Sequence, residues 1–390
     1  MTTAETIRRE DAFQIPTYNK YPISLERGEG SYVWDADGHR YLDFYGGHCV
    51  TILGHCPPAV VEAVQRQTGQ LMFYSNVVYS SVRAAAAERL AQLAPEGMGH
   101  AFFCNSGAEA NETALKMART HTKRRVIVSM EHGFHGRTLG SLAVTAEEKY
   151  RMPYQGVLPE TWWVPFGDLD ALSAMLADHP DAVAGVILEP IQSMAGIFEA
   201  EEAYYRGLRA LCDQYGVMLI FDEVQTGVGR TGTFSISAHY GMKPDMITLA
   251  KSLGAGVPVG AVLLSDAISE GVKAGDQGTT FGGGMLAMAA VEANLATINQ
   301  DQLMARAPEI EARIRAGIGP LVSAIRGRGC LLGIVLDRPA APVIKALRER
   351  GVLSGGAGDP HVIRIMPALT TRDEEIDVFV QAFEEAIANA

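Results

Sequence analysis

The chain has 390 residues, 47% hydrophobic and 20% charged, an ordinary balance for a soluble protein with a large buried core. Its formal net charge of −12 argues against nucleic acid and anionic membrane as partners, because both require a basic footprint. No apolar run approaches the ~20 residues of a membrane span. The first residues carry no apolar signal core, and Cys49, Cys56, Cys104, Cys212 and Cys330 are scattered and odd in number, so they read as free thiols in a reducing, cytoplasmic setting.

Short apolar runs then alternate with helical patterns, which predicts an α/β protein with a mainly parallel sheet. AFFC (101–104) reads as a strand, and NSGAEANETALKMAR (105–119) opens a helix with Ala110, Ala114 and Met117 on one face. RVIVSM (125–130) is a strand feeding the loop EHGFHGRT, and AVAGVIL (182–188) is a buried strand ending at Glu189. A helix follows, with Tyr204, Leu208, Leu211, Cys212 and Tyr215 at three-to-four spacing and Gly216 placed to cap it. VMLIF (217–221) is a strand ending at Asp222, and DMITLA (245–250) is a strand that delivers Lys251. Beyond about residue 295 the pattern runs helix, one RGRGCLLGIVL strand, a VIRIM strand and a final helix. The expected division is a large domain over 51–295 and a smaller one built from 1–50 and 296–390.

Glu189 and Asp222 thus sit just past the carboxyl ends of successive strands, where open α/β sheets bind ligands. Lys251 leaves a strand into the glycine-rich SLGAGVPVG; it is either a surface residue or a partly buried amine, whose lowered pKa would suit Schiff-base chemistry. Asp222 is either a cap or rim residue or a carboxylate that keeps a pyridine-type nitrogen protonated. The stretch Asn105-Ser106-Gly107-Ala108 opens a helix, as a plain N-cap or as an anion site made of free N–H groups. Phe134 is core or a stacking platform, and Arg137 is solvated or a clamp for a carboxylate. Arg364 shares a strand face with Val362 and Met366, so it lies at an edge or pairs with an anion. The GVGRTG stretch (227–232) matches GxGxxG, but no amphipathic helix and no well-placed acid follow, which leaves a nicotinamide oxidoreductase as the weaker alternative. His132 and His135 lack a third ligand at matching spacing, so no metal is expected and both read as loop histidines.

The blocks YLDFYGGHCVTILGHCPPAV, CNSGAEANETALKMAR, FHGRTLGSL, VILEPIQ, FDEVQTGVGRTG, PDMITLAKSLGAGVPVGAV and GTTFGG resemble those of the class III, ω-amino-acid branch of the pyridoxal-phosphate aminotransferases. The resemblance runs from about Val33 to the C-terminus and is strongest to the N-acetylornithine and N-succinylornithine aminotransferases of arginine biosynthesis. It implies fold type I: a mainly parallel central sheet with helices on both faces, plus a smaller α+β domain from both chain ends. It also implies an ω-amine donor, 2-oxoglutarate as acceptor, and a homodimer with shared active sites. By the same resemblance, Lys251 would carry pyridoxal phosphate and Asp222 would pair with its ring nitrogen. Ser106, Gly107 and Ala108 would cup the phosphate, Phe134 would stack on the ring, Gln225 would contact its hydroxyl side, and Glu189 and Val224 would line it. Thr280 would reach the phosphate of the neighbouring subunit. Arg137, with Thr279 beside it, would hold the α-carboxylate of the acylated ornithine, and Arg364 that of glutamate or 2-oxoglutarate.

One departure stands out. Much of the family continues EPIQ with Gly-Glu, and that glutamate masks the glutamate-binding arginine; here Ser193-Met194 follows, and Met194 cannot form the ion pair. The alternatives within the cofactor class are another ω-amine (aminobutyrate, a diamine, a carrier-bound lysine precursor) and a racemase or aminomutase.

Overall fold

The computed structural model describes residues 1–389. At its centre lie β1 (His100–Cys104), β2 (Val126–Met130), β3 (Thr161–Val164), β4 (Val183–Leu188), β5 (Met218–Asp222), β6 (Met246–Leu249) and β7 (Gly260–Leu264). In space they run β1-β7-β6-β5-β4-β2-β3. The strands from β6 through β3 pair in parallel, and only β7 runs against its neighbours. Parallel neighbours need a crossover between them, which is why each apolar run in the sequence is followed by a helical pattern.

Both faces of this sheet are covered, so its strands read as continuous apolar runs rather than as alternations. Ile127, Ile187, Ile220, Met246 and Val262 point into one core. Val128, Val186, Leu219, Phe221, Leu249 and Leu263 point into the other. The helix Gly107–Thr122 closes the first face with Ala110, Ala114, Leu115, Met117 and Ala118. The helix Glu202–Tyr215 brings Tyr204, Tyr205, Leu208 and Cys212 to the second. It ends at Gly216, whose φ of 60° suits a residue without Cβ and lets its N–H reach the carbonyls of Cys212 and Asp213.

A second sheet joins the two ends of the chain. Leu25–Glu29, Tyr32–Asp35 and Arg40–Asp43 form an antiparallel meander, and Val352–Leu353 adds in parallel with Val352 opposite Leu42. A third, antiparallel sheet holds Ala324–Arg328, Leu331–Val335, Val362–Ile365 and Gly355–Gly356. The single strand expected through RGRGCLLGIVL is therefore a hairpin. Its turn is at Gly329, with φ of 57°, where a Cβ would lie 2.7 Å from the carbonyl oxygen of Arg230. Apolar patterning fits one long strand or two short ones; the glycine at the docking point decides for two. Among the described residues no helix is long and apolar enough to cross a membrane.

Candidate active site

The carboxyl ends of the parallel strands converge on one cavity of ≈ 480 Å³. Asp222 is the last residue of β5, Glu189 follows β4, and Lys251 lies two residues beyond β6. The loop after β2 supplies Phe134, His135 and Arg137, and the turn after β1 supplies Ser106, Gly107 and Ala108. All of these, with Val224 and Gln225, line the cavity. Thr279, Thr280 and Arg364 do not. Thr279 stands close by, its Oγ1 accepting from Asn105 Nδ2 at 3.4 Å and from the Gly282 N–H at 3.2 Å. Thr280 is exposed.

Ser106 caps the helix Gly107–Thr122, its Oγ accepting from the Glu109 N–H at 3.2 Å. The N–H groups of Gly107 and Ala108 have no acceptor within the helix and open on the cavity, a site suited to an anion. Gly107 is glycine for a steric reason: a Cβ would lie 2.8 Å from Cγ2 of Val224. The helix start can therefore sit directly against the loop that follows β5.

One helical turn further in, Asn111 reaches the carboxylate of Asp222. Oδ2 of Asp222 accepts from Asn111 Nδ2 at 2.8 Å and pairs with His135 Nδ1 at 2.7 Å, while Oδ1 accepts from the Val224 N–H at 3.1 Å. Glu189 is also buried, with Oε1 accepting from the Phe134 N–H at 2.9 Å and Oε2 from the Ser193 N–H at 3.3 Å. Burial, reinforced by the Asp222 charge, pushes its carboxyl up to about 7. Burial lowers the pKa of Lys251, against the opposing pull of Cys49, Asp222 and Glu189. Its backbone stands at φ of 42°, the left-handed region that costs a side-chain-bearing residue of order 1 kcal/mol. Anion-seeking N–H groups, a buried carboxylate, apolar walls and an amine of lowered basicity suit a flat phosphorylated ligand with a basic ring nitrogen.

Arg364 is 2% exposed, and among the described residues it has only neutral partners. Its Nε donates to the Gly356 carbonyl at 2.7 Å, Nη1 to Ser193 Oγ and Met194 Sδ at 3.2 Å each, and Nη2 to Tyr45 Oη at 3.1 Å. Tyr45 in turn bonds His48 Nδ1. His48 belongs to a left-handed turn in which Gly46, Gly47, His48 and Cys49 all have φ between 56° and 69°. Burial and the charges of Lys251 and Arg364 hold His48 down at about 3, so its ring is neutral. Ser193 Oγ also meets Gln225 Oε1 at 3.0 Å, which links Arg364 to the cavity wall. Arg137 lies exposed at the mouth, its guanidinium 3.3 Å from the ring centroid of Tyr150.

Sequence reasoning missed Asn111 and Tyr45 and took His135 for a loop histidine. His135 does lie in the loop after β2, but sequence reasoning gave it no role, whereas it is 2% exposed and bonded to Asp222. A signal for Asn111 existed, an amide on the otherwise apolar face of Ala110 and Ala114. For Tyr45, nothing in sequence brings it near Arg364.

The sequence profile of the family described as Aminotransferase class-III matches residues 14–387. An acetylornithine aminotransferase of Methanopyrus kandleri is 42% identical over 383 residues, 97% of each chain. The solved acetylornithine aminotransferase of Elizabethkingia anophelis is similar with a TM-score of 0.87 at 29% identity, covering 100% of both chains. An ornithine aminotransferase of Toxoplasma gondii, with partial occupancy of PLP at its active site, gives a TM-score of 0.93 at 28% identity, covering 100% of this chain and 95% of its own.

Proposed function

The chain belongs to the class-III aminotransferases, and from that membership we propose that it moves the δ-amino group of N-acetyl-L-ornithine, or N-succinylornithine, to 2-oxoglutarate. The products would be the semialdehyde and glutamate, as a step of arginine biosynthesis. Pyridoxal phosphate is the cofactor of this class, and the lining of the cavity fits it. Ser106, Gly107 and Ala108 would take the phosphate, Phe134 would stack on the ring, Gln225 would meet its hydroxyl side, and Val224 and Glu189 would line it. Lys251 would carry it, and Asp222 would hold the proton at the ring nitrogen.

When bound, the cofactor supplies a carbonyl that takes up the amine and a ring that draws electrons from the carbon bearing it. Lys251 Nζ, freed when the incoming amine takes its place, would then take the proton from that carbon and deliver it to the acceptor carbon. Its lowered basicity, a consequence of burial, keeps the amine competent to do so near neutral pH. Both substrates use one site in turn, so ping-pong kinetics are expected.

What supports the substrate reading is a pair of guanidiniums without acid partners among the described residues, Arg137 at the mouth and Arg364 inside. Arg137, with Thr279 beside it, would bind the α-carboxylate of the acylated ornithine, and Arg364 that of glutamate or 2-oxoglutarate. Thr280 would reach the phosphate in the neighbouring subunit of a homodimer. Residues 51–295 would form the large domain and 1–50 with 296–390 the small one, and the enzyme would work in the cytoplasm. One observation favours a second reading within the class: Met194, not an acid, lies on Arg364, so another ω-amine such as aminobutyrate, a diamine or a carrier-bound lysine precursor fits the same wall.

The test is the visible absorption of the purified enzyme during titration with N-acetyl-L-ornithine. Loss of the cofactor band, restored by 2-oxoglutarate, is expected. A band that ignores acetylornithine but responds to glutamate would keep the aminotransferase and reject the donor.

A further inference from the structure

Asp222 is held more tightly than a buried carboxylate at a strand end requires. A carboxylate has a broad torsion about its last bond and can swing unless its oxygens are fixed. Here three donors from three segments fix it: Asn111 from the helix Gly107–Thr122, His135 from the loop after β2, and the Val224 N–H from the loop after β5. Asn111 is itself oriented, because its Oδ1 accepts from Thr248 Oγ1 at 2.7 Å, leaving its Nδ2 to donate to Asp222 and to the His135 carbonyl at 2.7 Å. A flipped amide would set oxygen against oxygen.

His135 shows a marked asymmetry. Nδ1 meets Asp222, whereas Nε2 is buried and has no partner among the described residues. The ring is walled in: its side chain is fully buried, and a Cβ on Gly133 would lie 3.1 Å from Nε2. A buried imidazole with one idle nitrogen forfeits solvation there, which a residue kept only for packing would avoid. The neutral ring with its proton on Nδ1 is the form that leaves no donor stranded. The charged groups facing this cluster are Asp222 from β5, Glu189 from the end of β4 and Lys251 from the segment after β6.

We propose that His135 is a positioning residue for the reaction: as the Nδ1–H tautomer it anchors Oδ2 of Asp222, so that Oδ1 stays aimed at the ring nitrogen of the cofactor. The inference rests on the assignment of Asp222 as that nitrogen's partner, and it adds a residue and a protonation state to that assignment.

Two measurements test it. In the holoenzyme with 15N-labelled histidine, at one mildly alkaline pH, His135 is expected to show a protonated Nδ1 and an unprotonated Nε2. A proton on Nε2 alone, or on both nitrogens, overturns the proposal, and this reading needs no variant to fold. Second, His135→Asn keeps an N–H near the Nδ1 position, and His135→Leu removes it. Assayed with glutamate as donor, His135→Leu is expected to lower kcat about 10- to 100-fold with little change in KM, the size seen when a group orienting a primary contact is lost. It should also weaken pyridoxal-phosphate binding to the apoprotein, read by fluorescence. His135→Asn should recover most of both. Equal defects in the two variants, or full kcat in His135→Leu, overturn the proposal. Because glutamate is the donor, failure here is separate from failure of the acylornithine reading, which only the titration with acetylornithine addresses.

Discussion

A guanidinium shut away from water normally faces a carboxylate, because leaving a buried charge uncompensated is costly. Arg364 faces a carbonyl, two hydroxyls and a thioether instead. Placing an acid at the thioether position should therefore create an ion pair that an incoming carboxylate must break. Met194→Glu is expected to raise the KM for 2-oxoglutarate about tenfold or more, roughly the 1.4 kcal/mol or more of a charge-assisted bond. Steady-state kinetics on both substrates check this, and unchanged selectivity would remove Met194 from the account of specificity. Arg137 makes the opposite contrast: Arg137→Ala should raise the KM for acetylornithine far more than that for glutamate, and equal effects would reject its assignment. Glu189 gives a pH prediction. Its folded value of about 7 lies above the ordinary 4.5, so between these values the folded protein holds a proton that the unfolded chain has released. That contribution to stability is present at low pH and lost as pH rises through the window. Glu189→Gln should flatten the slope, by at most on the order of 3 kcal/mol, in denaturant titrations of the apoprotein at pH 5 and pH 8.

Among the elements, the start of the helix Gly107–Thr122 bears most directly on the cavity. Gly107→Ala would drive a methyl group into Val224 and tilt the helix end away from the loop after β5. Overpacking of this kind costs about 1–3 kcal/mol, so pyridoxal-phosphate affinity should fall about tenfold or more by fluorescence titration. This helix, the strands before and after it and the Gly216 cap were legible in sequence because each has a local signature: an apolar run, a three-to-four stripe, a glycine just past the stripe. The hairpin at Gly329 was not, since its turn exists only where the chain docks on the Arg230 carbonyl. The same distinction holds in the cavity. Asp222, Lys251 and Ser106 stand at strand and helix ends, and such ends show in a sequence. Asn111, His135 and Tyr45 matter through contacts across 24 to 319 positions, which no window of sequence displays.

For the molecule as a whole, the exposed apolar surface is the prominent unpartnered feature. Leu71, Met72, Phe73, Tyr74, Val77, Val78 and Tyr79 are all more than a third exposed, and the ring of Phe281 packs tilted against Phe73 with centroids 5.0 Å apart. A patch of this kind is expected to be covered in the proposed homodimer, and it adjoins Thr280, the residue proposed to reach the neighbouring active site. If it is so covered, replacing Val77 and Tyr79 together by arginine should shift the enzyme to monomer in sedimentation equilibrium, with most of its activity lost. A fully active monomer would show that each active site is complete within one chain.

The pairing of Leu42 with Val352 also bears on how the protein is made. A ribosome adding 5–20 residues per second needs roughly 15–60 s to synthesise the intervening stretch of about 310 residues. Throughout that interval the strand Arg40–Asp43 lacks one neighbour, and its open edge can pair with other nascent chains. Chaperone demand during synthesis should therefore be set by this late-closing edge rather than by the central sheet, whose strands all lie between His100 and Leu264 and can assemble before the last hundred residues emerge.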